Sequence, residues 1–533
     1  MAADCPPSIL SRHLALNNAR YMQNATRPAH TPIASYKDTA LAIGVACVLI
    51  FVPLFRAGNR PLPLVVLELG AVVLLIIKLW PQTTATAGTI PAAWWTTGVL
   101  LILYPLLYLV PVPFALWADL PGRTLYSEAL LLVDSQPAAR PATIAAYSTQ
   151  ASWFALLPPV ALFFSATALP TRYLMRLTLV ALVMAVGQAL LGLIQFVASD
   201  PDSVLCLGNH YCGHNNATGT YVNRDHLAGF LEMIFPIGLG LLAVTIGRLR
   251  HKTRYYRQNW RERVLSLSTW QANAAFLYGA ASIVILLGLV FTRSRTGVGL
   301  GMLCLLLAVL AFARRLGGDN AFGSVGTVSA IAVALAVDIG LAPVLGRFTA
   351  NPLDDGRWEL FAIALQGIGN FFPLGSGPGT FPQAVLPFQP VAMGGSFFNH
   401  VHNDYLEWLF EGGLLSAAIM LLLAFAYIRQ WFVLGHSGGD HWSTFRFIQV
   451  GAGIGLFMIA LHGTVDFNWH IPANAVYTAF LAALFFHRAA PATIRQRRVE
   501  REQSSPRQKP PEPEKEIVPE AQPEPEPVNP FLE

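Results

Sequence analysis

The sequence predicts an all-α polytopic membrane protein of about twelve transmembrane helices. Two observations carry that reading. Of 533 residues, 54% are hydrophobic and 12% are charged, against about 25% charged in a soluble domain. The apolar residues also fall in blocks of roughly 17–25, the length at which a helix crosses a hydrocarbon core of about 30 Å. In lipid every backbone N–H and C=O has to be satisfied within its own segment, so such blocks form helices.

In chain order the blocks lie near 39–55, 62–80, 93–112, 151–169, 174–197, 226–246, 272–292, 296–313, 323–342, 404–427, 447–466 and 472–487. The residues before Lys37 show no signal-peptide pattern, so the first span is expected to be an anchor. Lys and Arg in short loops set the orientation. The loop 247–268 holds seven of them, Arg314 and Arg315 follow the eighth block, and Arg495, Arg497, Arg498 and Arg501 follow the last. All fall on one side, the expected cytoplasmic side, with Arg12, Arg20, Arg27 and Lys37 of the N-terminal arm. Arg56 and Arg60 run against this bias. The net charge of +5 is then inner-leaflet anchoring and gives no reason to invoke nucleic acid. Three regions result: a cytoplasmic arm at 1–38, a transmembrane domain at 39–490, and a Pro- and Glu-rich tail at 491–533 that cannot bury a core.

Polar residues gather on the opposite side, in the loops 113–150, 198–225 and 343–403. The last begins with a stretch that reads as a helix. Asp354 or Asp355 is placed to cap it, and Trp358, Phe361, Leu365 and Ile368 recur on one face. A short amphipathic helix of this kind suits a membrane interface. Gly375, Gly377 and Gly379 follow; they read as a tight turn, with close approach to a ligand as the alternative. Next comes "FFNHVHNDYLEWLFEGG". Continued as a helix, it puts His400, Asp404, Glu407 and Glu411 on one stripe. Acidic residues entering a membrane helix are costly unless they face partners or a cavity, which marks them as site candidates.

The His402-Asn403 pair, followed by nine residues and Gly413, resembles the signature of the bacterial O-antigen ligase and O-antigen polymerase superfamily, which includes protein O-oligosaccharyltransferases. Other segments resemble it in the same order. They are "GTYVNRDHLAGFLEM" with Asn223, Arg224 and His226; "FTRSRTG" with Thr292, Ser294 and Arg295; "GSGPGTF"; and "HGTVDFNWHIPANA" with His462, Asp466, Asn468 and Pro472. Over residues 200–485 order and spacing agree. Before that the likeness rests on topology and on "LPGRTLY" at 120–126.

The resemblance implies a GT-C-like membrane glycosyltransferase in the bacterial inner membrane. It takes a glycan from an undecaprenyl-diphosphate carrier to an acceptor hydroxyl on the periplasmic side, the acceptor being lipid A core, another glycan or a protein. It implies no cofactor and no metal. A lipid diphosphate leaving group needs cations at the interface, and Arg binds phosphate bidentately without losing its charge. Arg224, Arg293 and Arg295 lie at outer span ends, and Arg347 and Arg357 in the large outer loop. Interfacial snorkelling is the alternative for each. Asn223 and Asn403 join them as substrate-binding candidates. The acceptor hydroxyl needs a base, and His402 holds the family position, with Asp404, Glu407 or Glu411 to orient its ring. Asp466 and His470 could line the same cavity, although turn capping accounts for Asp466 as well.

Cys206 and Cys212 in "CLGNHYCGHNNA" suit a disulfide in an oxidising compartment, with zinc binding through His210 and His214, or free thiols, as alternatives. Two other classes stay open: a multi-span transporter or flippase, and a non-catalytic component of polysaccharide export. Polarity concentrated at span ends, away from broken helices at mid-membrane, favours surface chemistry over transport.

Overall fold

Eleven of the twelve apolar blocks are helices in the computed structural model, which describes residues 36–80, 92–135, 137–198, 203–207, 212, 216–255, 270–313, 356–391, 397–436 and 442–488. The helices are α1 (Tyr36–Leu54), α2 (Pro61–Leu79), α3 (Ala92–Tyr108), α4 (Phe114–Ala118), α5 (Thr124–Leu132), α6 (Ala146–Thr167), α7 (Thr171–Ala198), α8 (Arg224–Tyr255), α9 (Trp270–Phe291), α10 (Arg295–Ala313), α11 (Arg357–Phe371), α12 (Phe381–Ala384), α13 (Asp404–His436), α14 (Thr444–His462) and α15 (Pro472–Phe486). The block 323–342, Arg347, the N-terminal arm up to residue 35 and the tail from 491 lie outside the described residues.

Eight helices, α1, α2, α7, α8, α9, α10, α13 and α14, are long and apolar enough to cross a membrane. Of the other three block helices, two contain shorter apolar segments, Thr96–Tyr108 and Pro472–Phe486; the third, α6, carries Pro158 and Pro159. This is a multi-pass membrane protein, all-α apart from a small ribbon. The ribbon pairs β1 (Pro111–Pro113) antiparallel with β2 (Ala139–Pro141), Val112 opposite Arg140.

Burial separates the centre from the rim. The apolar window of α8 is 89% buried, that of α2 only 17%. The centre is close-packed through glycines. Gly451 and Gly455 of α14, one turn apart, have no room for a side chain: a Cβ on Gly451 would meet Pro236 O and Ile237, and one on Gly455 would meet Met233 O. Small residues at this spacing let membrane helices approach backbone to backbone. Pro61 and Pro472 open α2 and α15, where the missing N–H has no intrahelical partner to lose.

A second, smaller core lies at the end of the bundle where α13 begins. There Phe371, Phe381, Phe410 and Val401 pack with Leu360, Ile363 and Ile144. It seats α11 against the start of α13. The face of α11 predicted from spacing is split: Trp358 and Leu365 are exposed, Phe361 and Ile368 pack half-buried against this core, and Leu360, Ile363, Ala364, Gly367 and Phe371 are buried. The helix is apolar on two sides. The side carrying Gly367 wins the interior, because a Cβ there would collide with the Phe410 ring. Gly356 occupies the cap position of α11, and the expected Asp354 and Asp355 caps lie outside the described residues.

Candidate active site

The site is built where three chain segments meet: the start of α8, the residues leading into α13, and the turn between α14 and α15. Asparagine starts both helices. Asn223 Oδ1 accepts from Asp225 N at 2.9 Å. Asn403 Oδ1 accepts from Tyr405 N and Leu406 N, both at 3.0 Å, and its Nδ2 donates to Thr464 O at 2.8 Å. An unhelical residue whose side-chain oxygen takes the first free N–H groups is a strong helix start. Asn403 thus has both polar ends engaged within the chain. It also ties α13 to the 463–471 turn, as does Asp404 N, which donates to Gly463 O at 2.8 Å.

The predicted stripe breaks at its first member. The helix begins at Asp404, and His400–Asn403 precede it, with His402 in the left-handed region at φ +60°. That turn separates the two histidines. His400 Nδ1 lies 2.7 Å from Glu407 Oε1, so His400 and Glu407 meet without sharing a helix face. His402 Nδ1 lies 3.2 Å from Asp466 Oδ1. The carboxylate that orients His402 is therefore Asp466, not Asp404, Glu407 or Glu411.

Every acidic residue here is partnered, and Asp404 and Glu407 share His470. Glu407 Oε2 accepts from Val401 N at 2.8 Å, and its Oε1 is 3.3 Å from His470 Nε2. Asp404 Oδ1 is 3.0 Å from His470 Nδ1. Glu411 Oε1 accepts from Phe381 N at 3.0 Å, which ties it to the end of the glycine-rich turn, and its charge still acts on His470. Asp466 Oδ1 also accepts from Phe467 N at 3.0 Å, so capping and pairing hold together at this residue. Its Oδ2 faces His226 Nε2 at 3.7 Å, beyond hydrogen-bond length. Burial disfavours the charged form of Asp466, yet His226, His402 and His462 outweigh it and hold the carboxyl well below its ordinary range. Burial likewise works against a charged His470, but Glu407 and Asp404 raise it to about 10.

Phe467 organises the rings. His400 stacks on it at 4.3 Å between centroids, and His226 and His402 meet it edge-on at 4.6 and 4.8 Å. Sequence reasoning did not single it out, and an aromatic beside a turn carries no distinguishing signal. Among the described residues, His400, Glu407 and His470 bring ligand atoms within 4.8 Å of one another, close enough for a divalent cation. Their hydrogen bonds through one carboxylate describe the group equally well as a proton-sharing set.

Of the arginines, Arg357 is placed at the site. Its Nη1 donates to Val465 O at 3.0 Å, and its Nη2 lies 3.7 Å from Asp225. Arg224 and Arg295 open α8 and α10, whose first turns touch: a Cβ on Gly297 would meet Ala228. Arg293, at φ +55°, lies over the Phe196 ring at 5.2 Å. All three are half-buried. Nearby, Cys206 and Cys212 are joined as a disulfide.

The glycine-rich turn is structural. Ser376 N donates to Phe410 O and Gly377 N to Glu411 O, so the turn lies against the backbone of α13. Gly375, Gly377, Gly379 and Gly413 all have positive φ. A Cβ on Gly413 would strike Pro373 O, and one on Gly375 would strike Glu411 O. Close approach is to the chain itself.

A buried pair also escaped the sequence reading. Glu232 of α8 and His462 of α14 pair at 3.0 Å with side chains 0% and 1% exposed. A carboxylate within an apolar block was the available signal.

Residues 280–421 match the family model described as O-antigen ligase. That match supports membership of the O-antigen ligase and polymerase superfamily. It runs from the middle of α9 to the middle of α13 and includes His400, His402, Asp404, Glu407, Arg293, Arg295 and Arg357. His226, Asp466 and His470 lie outside it, joined to it by the fold. No curated protein matches the chain significantly.

Proposed function

We propose that this protein is a membrane glycosyltransferase of the O-antigen ligase type. It moves a glycan from an undecaprenyl-diphosphate carrier to an acceptor hydroxyl on the periplasmic face of a bacterial inner membrane. The observation that carries the reading is the His402–Asp466 pair. Asp466 is 1% exposed and anionic, while the His402 ring is 32% exposed. With Nδ1–H directed to Asp466, the partly exposed ring keeps a lone pair on Nε2, which is the tautomer a general base needs.

In the reaction, the acceptor O–H gives its proton to His402 Nε2 as its oxygen bonds to the anomeric carbon. The bond from that carbon to the phosphate oxygen breaks, and undecaprenyl diphosphate leaves with the electron pair. The histidinium is stabilised by Asp466. Arg357 is the cation set beside this pair, with Arg224 and Arg295 at the starts of α8 and α10 and Arg293 in the turn before α10 to take the diphosphate charge. Asn403 and Asn223 hold the two helix starts in register, and Asp404 and Glu407 fix His470 and His400 around the base.

The test is glycan profiling of a deletion strain complemented with wild type or His402→Ala at matched membrane levels. Base catalysis contributes about 10²–10⁴-fold, so His402→Ala is expected to leave the surface glycan missing and its lipid-linked intermediate accumulated. Full restoration by His402→Ala would remove His402 as the base.

A further inference from the structure

A groove of about 550 Å³ lies between the end of α3 and the segment of α13 just past Gly413. Leu107, Tyr108, Pro373, Leu374 and Leu415 line it, with Arg123 among them. Its size is that of a small-molecule site. Its open side is apolar: Leu107, Leu374 and Leu414 are 56%, 43% and 60% exposed. On a membrane protein such a surface meets hydrocarbon chains. The Tyr108 hydroxyl is occupied, donating to Leu374 O at 2.5 Å.

Arg123 is the exception in this lining. It is 1% exposed. Its Nη atoms donate to the backbone carbonyls of Pro121, Ala142 and Gly375, and its plane lies over Phe371. No carboxylate pairs with it among the described residues, and its buried Nε has no acceptor. Burial pulls its pKa down to about 10, which still leaves it charged at neutral pH. A buried cation without a counter-ion is costly, and a missing hydrogen bond adds to that cost. One anionic oxygen at Nε would relieve both.

We propose that this groove holds a glycerophospholipid of the surrounding bilayer, its acyl chain along Leu107, Leu374 and Leu415 and its phosphodiester on Arg123. The number of donors decides the source. The backbone occupies most of the guanidinium, which leaves enough for a monoanionic phosphodiester and too little for a carrier diphosphate, which asks for several cations. The groove shares no lining residue with the His402 site and does not depend on the transferase reading.

The test uses the full chain purified in mild detergent, with bound phospholipid counted by native mass spectrometry. Leu415→Trp fills the groove from α13 without touching Arg123, and Arg123→Gln removes the charge while keeping donors. Wild type is expected to retain about one phospholipid through washing. Retention should drop roughly tenfold or more in either variant, the scale of one charge-assisted hydrogen bond. Phosphatidylglycerol added to delipidated protein should raise the melting temperature of wild type but not of Leu415→Trp. Should Arg123→Gln fail to fold, Leu415→Trp alone decides. The proposal is overturned if wild type retains no phospholipid, if Leu415→Trp retains as much as wild type, or if undecaprenyl phosphate stabilises the delipidated protein and phosphatidylglycerol does not.

Discussion

Two histidine–carboxylate pairs lie close together in the fold and differ in one respect. His402 meets Asp466 at 3.2 Å and His462 meets Glu232 at 3.0 Å. The chemistry and the distances are nearly the same. In the first pair the ring is 32% exposed, while in the second neither side chain exceeds 1%. A base has to offer its far nitrogen to an incoming hydroxyl, and only the first pair can. The second joins α8 to α14 inside the bundle, where its worth is structural. Histidine beside a carboxylate is thus no sign of catalysis until access is known.

The comparison is broken most sharply by Asp466→Asn. An amide in place of the carboxylate lets the His402 ring take the wrong tautomer, so glycan transfer in complemented deletion cells should fall on the order of 10²–10⁴-fold with melting little changed. Glu232→Gln, the matching change in the buried pair, should leave transfer per folded molecule near wild type. Equal losses in the two variants would erase the distinction.

The next effect is on stability. His462→Ala strands Glu232 in the interior, and breaking a buried pair costs about 3–5 kcal/mol. A lower melting temperature and lower membrane abundance are expected. Replacing both members with leucine should recover much of the loss, since a packed apolar pair often substitutes well for a buried ionic one. If His462→Ala melts like wild type, the buried pair is not a structural tie.

The smallest effect sharpens the site's outer ring. His470 is raised to about 10 in the fold from an ordinary value near 6.5. The folded protein therefore holds more protons than the unfolded chain between those values. The stabilisation is complete below about pH 6.5 and is lost as pH rises through about 10. Melting in detergent should decline across that window, and His470→Gln should flatten the decline. An unchanged slope in the variant would assign the titration to another group.

What was legible in the sequence follows from the range of each interaction. Helices were visible because a span's requirement is local: enough apolar residues in a row, as in α2, which Pro61 opens. The His402-Asn403 pair was visible because the family signature it resembles lies in one short contiguous stretch. Its partner was not. Asp466 sits 64 positions away, and nothing near His402 distinguishes it from the closer Asp404, Glu407 and Glu411. The assumed helical continuation failed at His402 because the chain turns left-handed there, which a helix-period pattern cannot announce. Arg123 went unremarked within "LPGRTLY" because its isolation depends on which carbonyls the fold brings to it.

Gly413 has a consequence for length. From Asp404 to Gly412 the helix runs nine residues between the turn that presents His402 and the seam where α13 presses its backbone on Pro373. At 1.5 Å per residue that is roughly 13 Å. Both ends are anchored, one by Asn403 on Thr464 and the other by a glycine that tolerates no substituent. The segment therefore acts as a ruler of set length. Adding one residue would swing everything above it by about 100°, carrying Asp404 and Glu407 off their histidines. Single-residue insertions here should be far less tolerated than side-chain changes on the same turns.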